Sequence, residues 1–440
     1  MKRVLIITYY WPPSGSSGVQ RWLKFAKYLP EFGWQPVIYT PENPDAPETD
    51  ATLMKDVAKD LEVIKTPIWE PYQLFKKLTG RKKEEKVNAG TYFDDGKQGL
   101  VDKCMLWIRG NLMIPDPRVF WVRPSVKYLR NYLNTHPVDA IVTTGPPQSM
   151  HLIGLGLKKA FPALPWLADF RDPWSGVDIL DKFFITKRAL RKHTRLEQQV
   201  FRHANAFTSV SPTWAAEMTA NGAKNTQCIT NGYDENDFIN YRPKSSGRFV
   251  ISHIGVLNSF RSPQVIWDAL ASTCKTRPTF GDQLEIRLAG TIDPGIRAYL
   301  ENHPVLKDKV KFLGYLPHQE AIRQYEESDV LMLLLNKSAT VKGNIPGKLF
   351  ELLATGRIIL TLGDTTGDLA GILKTSQSGY MFEYDDTKGV QQAVEELASR
   401  TQETGWSVNA SGDFTQYARR HLTGRVAELL NDLCISSGNR

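Results

Sequence analysis

YYWPPSGSSGVQRW, Tyr9 to Trp22, follows the apolar run Val4 to Ile7, and its reading decides how the fold begins. The run is long enough for a buried strand and far too short to span a membrane or to form the core of a signal peptide. Gly15 and Gly18 stand between two prolines and a stretch of helical amphipathic spacing, so the order is strand, glycine loop, helix. Such a loop aims backbone N–H groups and the positive end of a helix at whatever lies above it, which suits an anion such as a phosphate. A dinucleotide oxidoreductase opens in the same way, but its fingerprint is G-x-G-x-x-G, and Gly15-Ser16-Ser17-Gly18 does not have that spacing.

Working outward, the 440 residues, 41% of them hydrophobic, are too many for one ordinary core and enough to fill two. Cys104, Cys228, Cys274 and Cys434 show no C-x-x-C spacing, so neither a zinc knuckle nor a disulfide framework is indicated, and they read as reduced thiols of a cytoplasmic protein. No apolar stretch approaches the roughly 18 residues of a transmembrane helix.

The net charge of +8 is unevenly placed: residues 1–240 hold 32 Lys plus Arg against 25 Asp plus Glu, the remainder 23 against 22. Two stretches of that first half mix cations with large apolar groups. In WEPYQLFKKLTGRKK, Lys76, Lys77, Arg81, Lys82 and Lys83 lie among Trp69, Tyr72, Leu74, Phe75 and Leu78. In DKFFITKRALRKHTR, Lys182, Lys187, Arg188, Arg191, Lys192 and Arg195 follow Phe183 and Phe184. A basic surface with insertable apolar groups adsorbs to anionic lipid, here the inner membrane face; a solvated helix face is the competing reading. Nucleic acid is not expected, because no nucleic-acid motif accompanies the charge.

Apolar runs alternate with helical patterns throughout, the mark of parallel sheets covered on both faces. Strands are expected near Val4–Thr8, Pro36–Tyr39, Ala140–Thr143, Trp166–Asp169, Phe207–Val210 and Gln227–Thr230, then at Phe249–Gly255, Leu284–Ala289, Val310–Leu313, Val330–Leu335 and Ile358–Leu362. The pattern dissolves between Asp45 and Arg118, which reads as an insertion, and Asn231–Gly247 reads as a linker. The expected fold is α/β: a doubly wound, Rossmann-like domain over 1–240, a second over 241–412, and a final helical piece, 413–440, packing back on the first. Two such domains leave a cleft between the carboxyl ends of their sheets, where ligands bind.

KGNIPGKLFELLATGRIILTLGDTTGDLAGIL, Lys342 to Leu373, is the most specific segment. Pro346 and Gly347 precede a helix, so the N–H groups after Gly347 can hold phosphate oxygens. One turn in, Glu351 can accept hydrogen bonds from two ribose hydroxyls, while Lys348 offsets phosphate charge. The plainer alternative is a carboxylate that suits the helix dipole beside a solvated lysine.

This segment resembles the nucleotide-binding motif of the retaining sugar transferases of glycosyltransferase family 4, in the variant where a Pro-x-Lys-x-x-Glu helix ends in Leu-Ala-x-Gly. The similarity runs along nearly the whole chain, through PPSGSSGVQR, DFRDPW, NGYD, HIGVLNSFRSP, RLAG, VKFLGYLP and SDVLMLLL. It implies the two-domain GT-B fold, a nucleotide-sugar donor as substrate with no cofactor, retention of anomeric configuration, and work on bacterial cell-surface glycans. It further implies that Glu351 holds the donor ribose, that Arg261 in SFRSP binds the diphosphate, and that Gly290 and the Gly314–Pro317 turn with Leu316 lie by the base. It implies as well that Gly15 and Gly18 let the first domain close on the donor phosphates. Two positions depart from the family pattern. Gly343 stands where many members have a Glu that contacts the sugar, and Trp267 where many have a Lys; the first leaves the sugar open.

WLADFRDPWSG, Trp166 to Gly176, occupies the place where members often carry a His or a His-Asp pair at the reaction centre. Asp169, Arg171 and Asp172 stand there at a predicted strand end. In one reading Asp172 or Asp169 orients the acceptor hydroxyl and Arg171 steadies the leaving diphosphate; in the other the three form a structural ion-pair network. His151, in TTGPPQSMH on the same rim, is an acceptor contact or a structural histidine. No D-x-D motif accompanies a nucleotide-binding strand, so no metal is expected. The sequence therefore points to a metal-independent hexosyltransferase or related enzyme acting on a glycan or lipid-linked acceptor. A nucleotide-sugar epimerase of the same architecture and a non-catalytic glycan-binding scaffold are the alternatives.

Overall fold

The computed structural model describes every residue except 16, 46–48, 72–99, 177, 245–246, 262, 338–340, 405–411 and 439–440. The basic cluster Lys76, Lys77, Arg81, Lys82 and Lys83 lies outside the described residues. The chain divides into two compact units, Met1–Asn231 with Arg419–Arg440, and Gly232–Ala418. No helix among the described residues is long and apolar enough to cross a membrane.

In the first unit, Val4 and Ile6 face one core and Leu5 and Ile7 the other, so the Val-Leu-Ile-Ile run is buried on both faces, as a central parallel strand requires. That strand is β1 (Lys2–Ile7), followed in sequence by β2 (Trp34–Pro41), β3 (Glu62–Thr66), β4 (Ala140–Gly145), β5 (Trp166–Phe170), β6 (Ala206–Ser209) and β7 (Thr226–Cys228). They form one parallel sheet in the order β3-β2-β1-β4-β5-β6-β7. The helices Val119–Thr135, Ser149–Ala160 and Lys187–His203 cover one face. Helix Ser17–Tyr28 covers the other, its Val19, Trp22, Leu23 and Ala26 packing with Val426 and Leu430 of the helix Arg419–Gly438.

The second unit repeats the plan with β8 (Phe249–Ile254), β9 (Leu284–Ala289), β10 (Val310–Gly314), β11 (Val330–Leu334), β12 (Ile358–Leu362) and β13 (Gly379–Phe382), in the order β10-β9-β8-β11-β12-β13. Each sheet reverses its strand order once, between β1 and β4 and between β8 and β11, and the carboxyl ends at such a reversal are where open α/β sheets bind ligands.

Three details correct the sequence reading. The supposed insertion contains β3, which extends the main sheet; an edge strand needs no continuous apolar run, and Glu62-Val63-Ile64-Lys65-Thr66 has none. β13 was not expected, because it is a short edge strand opened by Gly379. Residues 232–240 fold with the second unit, since Tyr233 and Phe238 pack into its core and the Tyr233 N–H donates to the Tyr417 carbonyl at 3.2 Å.

Candidate functional site

In the second unit the site grows from the loops after β8 and β11. The helix Lys348–Ala354 buries Leu349, Phe350, Leu352 and Leu353, which fixes Lys348 and Glu351, three residues apart, on its remaining face. The Lys348 ammonium donates to the Ile254 carbonyl at the end of β8 and would stand 3.3 Å from a Cβ on Gly255. Arg261 donates from Nε to Asn336 Oδ1 at 2.6 Å and from Nη1 to the Val256 carbonyl at 3.2 Å. The Arg261–Asn336 bond holds the two strand-end loops together, and the hydroxyl of Tyr384, just after β13, donates to the Asn336 carbonyl at 3.0 Å.

These cations are incompletely solvated. Burial pushes the Lys348 ammonium down, Glu351 pulls it back up, and the like charge of Arg261 lowers it further. Burial also lowers Arg261. Neither makes an ion pair among the described residues. His253 sits beside them with Nδ1 facing the Met332 carbonyl at 3.2 Å and Nε2 buried without a partner. Burial, helped by the Lys348 charge, lowers it to about 4, so the ring is neutral near pH 7.

Gly290 is required by space: its φ is +103°, and a Cβ there would come within 2.2 Å of the Gly255 carbonyl oxygen. Its N–H donates to the Gly314 carbonyl at 2.7 Å, which ties the RLAG turn to the turn carrying half-exposed Leu316. Gly347 is exposed with open space around it, so sterics do not demand a glycine there. Trp267, at the position of the family lysine, is fully buried in the core and takes no part in the site.

In the first unit, Asp169 stands one residue before the end of β5 in complete burial. It pairs with Arg21 at 2.9 Å and accepts from Trp22 Nε1 at 2.6 Å, Thr144 Oγ1 at 2.9 Å and Thr208 Oγ1 at 2.8 Å. Burial works to raise it, but Arg21 and these donors hold its carboxyl below the usual aspartate range. Arg171 donates to the Gly145 and Pro146 carbonyls, which locks the guanidinium against the end of β4. Asp172 is the contrasting case. It is half-buried, no hydrogen bond to its carboxylate occurs among the described residues, and burial raises it above the aspartate range, with Arg171 pulling partly back. Gly15 lies apart from this group, packed on Asp50, whereas Gly18 packs on Arg171.

His151 is fully buried and stacked on Phe170 with ring centroids 4.2 Å apart. Its Nδ1 meets Thr143 Oγ1 at 2.8 Å, while its Nε2 has no partner; burial lowers it to about 3. Gln148 Oε1 is likewise buried and unpaired, and both atoms crowd the open side of Gly145. The structure thus brings together Gly18, Asp169, Arg171, Asp172 and His151 in one unit and Arg261, Lys348, Glu351 and Gly290 in the other. Sequence reasoning missed Arg21, Gln148, His253 and Asn336 as members. Only His253 carried a signal, a polar residue at the end of an otherwise apolar strand.

Residues 248–400 match the family model described as Glycosyl transferases group 1. The matched span includes Arg261, Gly290, Leu316, Lys348 and Glu351, and the match supports glycosyl transfer as the chemistry. No curated protein sequence matches the chain. Among solved structures, sucrose-phosphate synthase from Thermosynechococcus elongatus is similar at a TM-score of 0.55 and 14% identity, over 100% of this chain and 98% of that one. The N-terminal domain of Candida albicans trehalose-6-phosphate phosphatase gives 0.60 and 12%, over 98% and 97%. A Listeria monocytogenes protein assigned as a UDP-N-acetylglucosamine 2-epimerase gives 0.54 and 10%, over 98% and 96%. At these identities the likeness shows the fold, two Rossmann-like units of the GT-B kind.

Proposed function

We propose that the chain transfers a sugar from a nucleotide-diphosphate sugar to a glycan or lipid-linked acceptor in cell-surface polysaccharide synthesis, with retention of configuration and without a metal. The observation that carries the reading is the pair of partly desolvated cations, Lys348 and Arg261, held together at the strand-order reversal with no carboxylate ion-paired to either among the described residues. A buried charge of that kind is costly until an anion joins it, and a departing diphosphate is such an anion.

In this reading Glu351 accepts hydrogen bonds from the donor ribose, Gly290 and Leu316 lie by the base, and the N–H groups after Gly347 face phosphate oxygens. The bond from the anomeric carbon to the phosphate oxygen breaks as the acceptor oxygen bonds to the same face. The acceptor proton passes to the departing phosphate oxygen, so no side-chain nucleophile is needed. Asp172, whose carboxylate accepts no hydrogen bond among the described residues, orients the acceptor hydroxyl, while His151, fully buried against Phe170 and Thr143, is a structural histidine behind the strand ends. Asp169, its oxygens occupied by donors, is a positioning residue that holds the strand end carrying Arg171 and Asp172.

Calorimetric titration with UDP, GDP, CDP and ADP tests the donor site. One of them binds the wild type, and Glu351→Ala binds it about 10- to 100-fold more weakly, the worth of a hydrogen bond to a charged group. Equal affinity in the variant removes Glu351 from the site. Gly343 in place of a sugar-contacting Glu favours the second reading, a glycan-binding scaffold. Nucleotide binding without transfer to any glycan acceptor, and without release of sugar, would support it.

A further inference from the structure

The helices Val119–Thr135, Ser149–Ala160 and Lys187–His203 lie side by side over one face of the first sheet, with the 149–160 helix in the middle. Together they carry eleven Lys and Arg side chains and a single carboxylate. That carboxylate, Glu197, is buried and bonded to Ser175, so the exposed surface of the layer is wholly cationic. Arg123, Lys127 and Arg130 recur on one stripe of the first helix and make no ion pair among the described residues. Between the first two helices runs a groove of about 560 Å³ with Val122, Val126 and Leu152 on its floor and those three cations at its rim.

Apolar side chains stand exposed on the same layer. Leu190 on the 187–203 helix is 41% exposed and Phe184 just before it 49%. A second segment is fastened to them: Asn111 donates to the Phe184 carbonyl at 3.2 Å and accepts from the Thr186 N–H at 2.8 Å, and next to it Leu112 is 63% exposed. Phe183, by contrast, is buried, so of the two phenylalanines read as insertable only Phe184 is available.

We propose that this three-helix face docks the first unit on an anionic lipid bilayer, with headgroup phosphates in the 119–135/149–160 groove and Phe184, Leu190 and Leu112 entering the headgroup layer. Unpaired cations over an apolar floor match a surface that presents phosphate at one depth and hydrocarbon just beneath it. Nucleic acid offers the charge but no apolar layer for three aliphatic and aromatic side chains to enter. The inference stands without the transferase reading, since it uses none of the donor-site residues.

The experiment is sedimentation of the full chain with large vesicles of phosphatidylcholine alone and of phosphatidylcholine mixed with phosphatidylglycerol. The wild type binds the mixed vesicles and leaves the neutral ones. The combined variant Arg123→Gln, Lys127→Gln, Arg130→Gln binds the mixed vesicles about tenfold or more weakly at unchanged thermal stability. Leu112→Ser with Phe184→Ser retains binding at low salt and loses it at high salt, where only insertion holds. Equal binding to neutral vesicles, an unchanged triple variant, or tighter binding to a nucleic-acid duplex than to vesicles would each overturn the proposal.

Discussion

A methyl group on Gly18 would stand 2.7 Å from Nη1 of Arg171, so the glycine loop and the strand end carrying Asp169 and Asp172 are in direct contact. The guanidinium cannot swing aside freely, because Nε and Nη2 are bonded to the Gly145 and Pro146 carbonyls. Gly18→Ala should therefore destabilise the first unit by about 1–3 kcal/mol, the usual cost of overpacking. In an Arg171→Ala background the same substitution should cost measurably less, and additivity in that double-mutant cycle would sever the link.

The two aspartates should respond in opposite directions to the same substitution. Asp169→Asn leaves Arg21 buried against a neutral partner and should cost about 3–5 kcal/mol in denaturant unfolding. Asp172→Asn removes a carboxylate that burial disfavours, so it should stabilise the fold at neutral pH while abolishing transfer. Because the folded value of Asp172 is raised, this advantage opens as the pH climbs above 3.8 and is complete beyond the folded value; it vanishes in acid, where both states are protonated. A gain that grows on acidification would contradict the assignment.

Lys348→Met should leave stability unchanged or higher, since the ammonium is partly stripped of water and has no carboxylate partner in an ion pair among the described residues. Nucleoside-diphosphate affinity should fall about tenfold or more, by the loss of a charge-assisted contact. A large loss of stability with intact binding would make the lysine a structural group.

Acid should weaken both units through their buried histidines. His253 and His151 fall from 6.5 to about 4 and about 3, so below 6.5 the unfolded chain takes up protons that the folded one refuses. Each unit should lose about 2 kcal/mol between pH 7 and pH 5 through its histidine. Urea titrations of His253→Gln and His151→Gln should each show the pH dependence of one unit reduced by that amount.

The fold was legible wherever burial on both faces forces a continuous apolar run, which holds for β1, β4, β8, β11 and β12. It was illegible at two of the four edges: β3 and β13 have a partner on one side only and a mixed polar sequence that resembles a loop, whereas the edge strands β7 and β10 were expected from the sequence. For the site, residue types and strand-end positions were readable at Asp169, Arg171, Asp172 and His151, but their division of labour was not. What separates saturated Asp169 from Asp172 is the arrival of Arg21, Trp22, Thr144 and Thr208 from three other elements, a matter of distance that spacing along the chain does not encode. The same holds for Asn336, which reaches Arg261 from the far side of the strand-order reversal.

The helix Arg419–Gly438 completes the core of a unit whose sheet is finished by residue 228, and the whole of the second unit is synthesised in between. On the ribosome the second unit therefore has every one of its strands and can fold while the first still exposes Val19, Trp22 and Leu23, the side chains that Val426 and Leu430 later cover. The nascent first half would carry that apolar surface through the interval, the kind of exposure that chaperones cover. A chain released early, before Arg419, would pair a sound second unit with a sticky and proteolytically vulnerable first one.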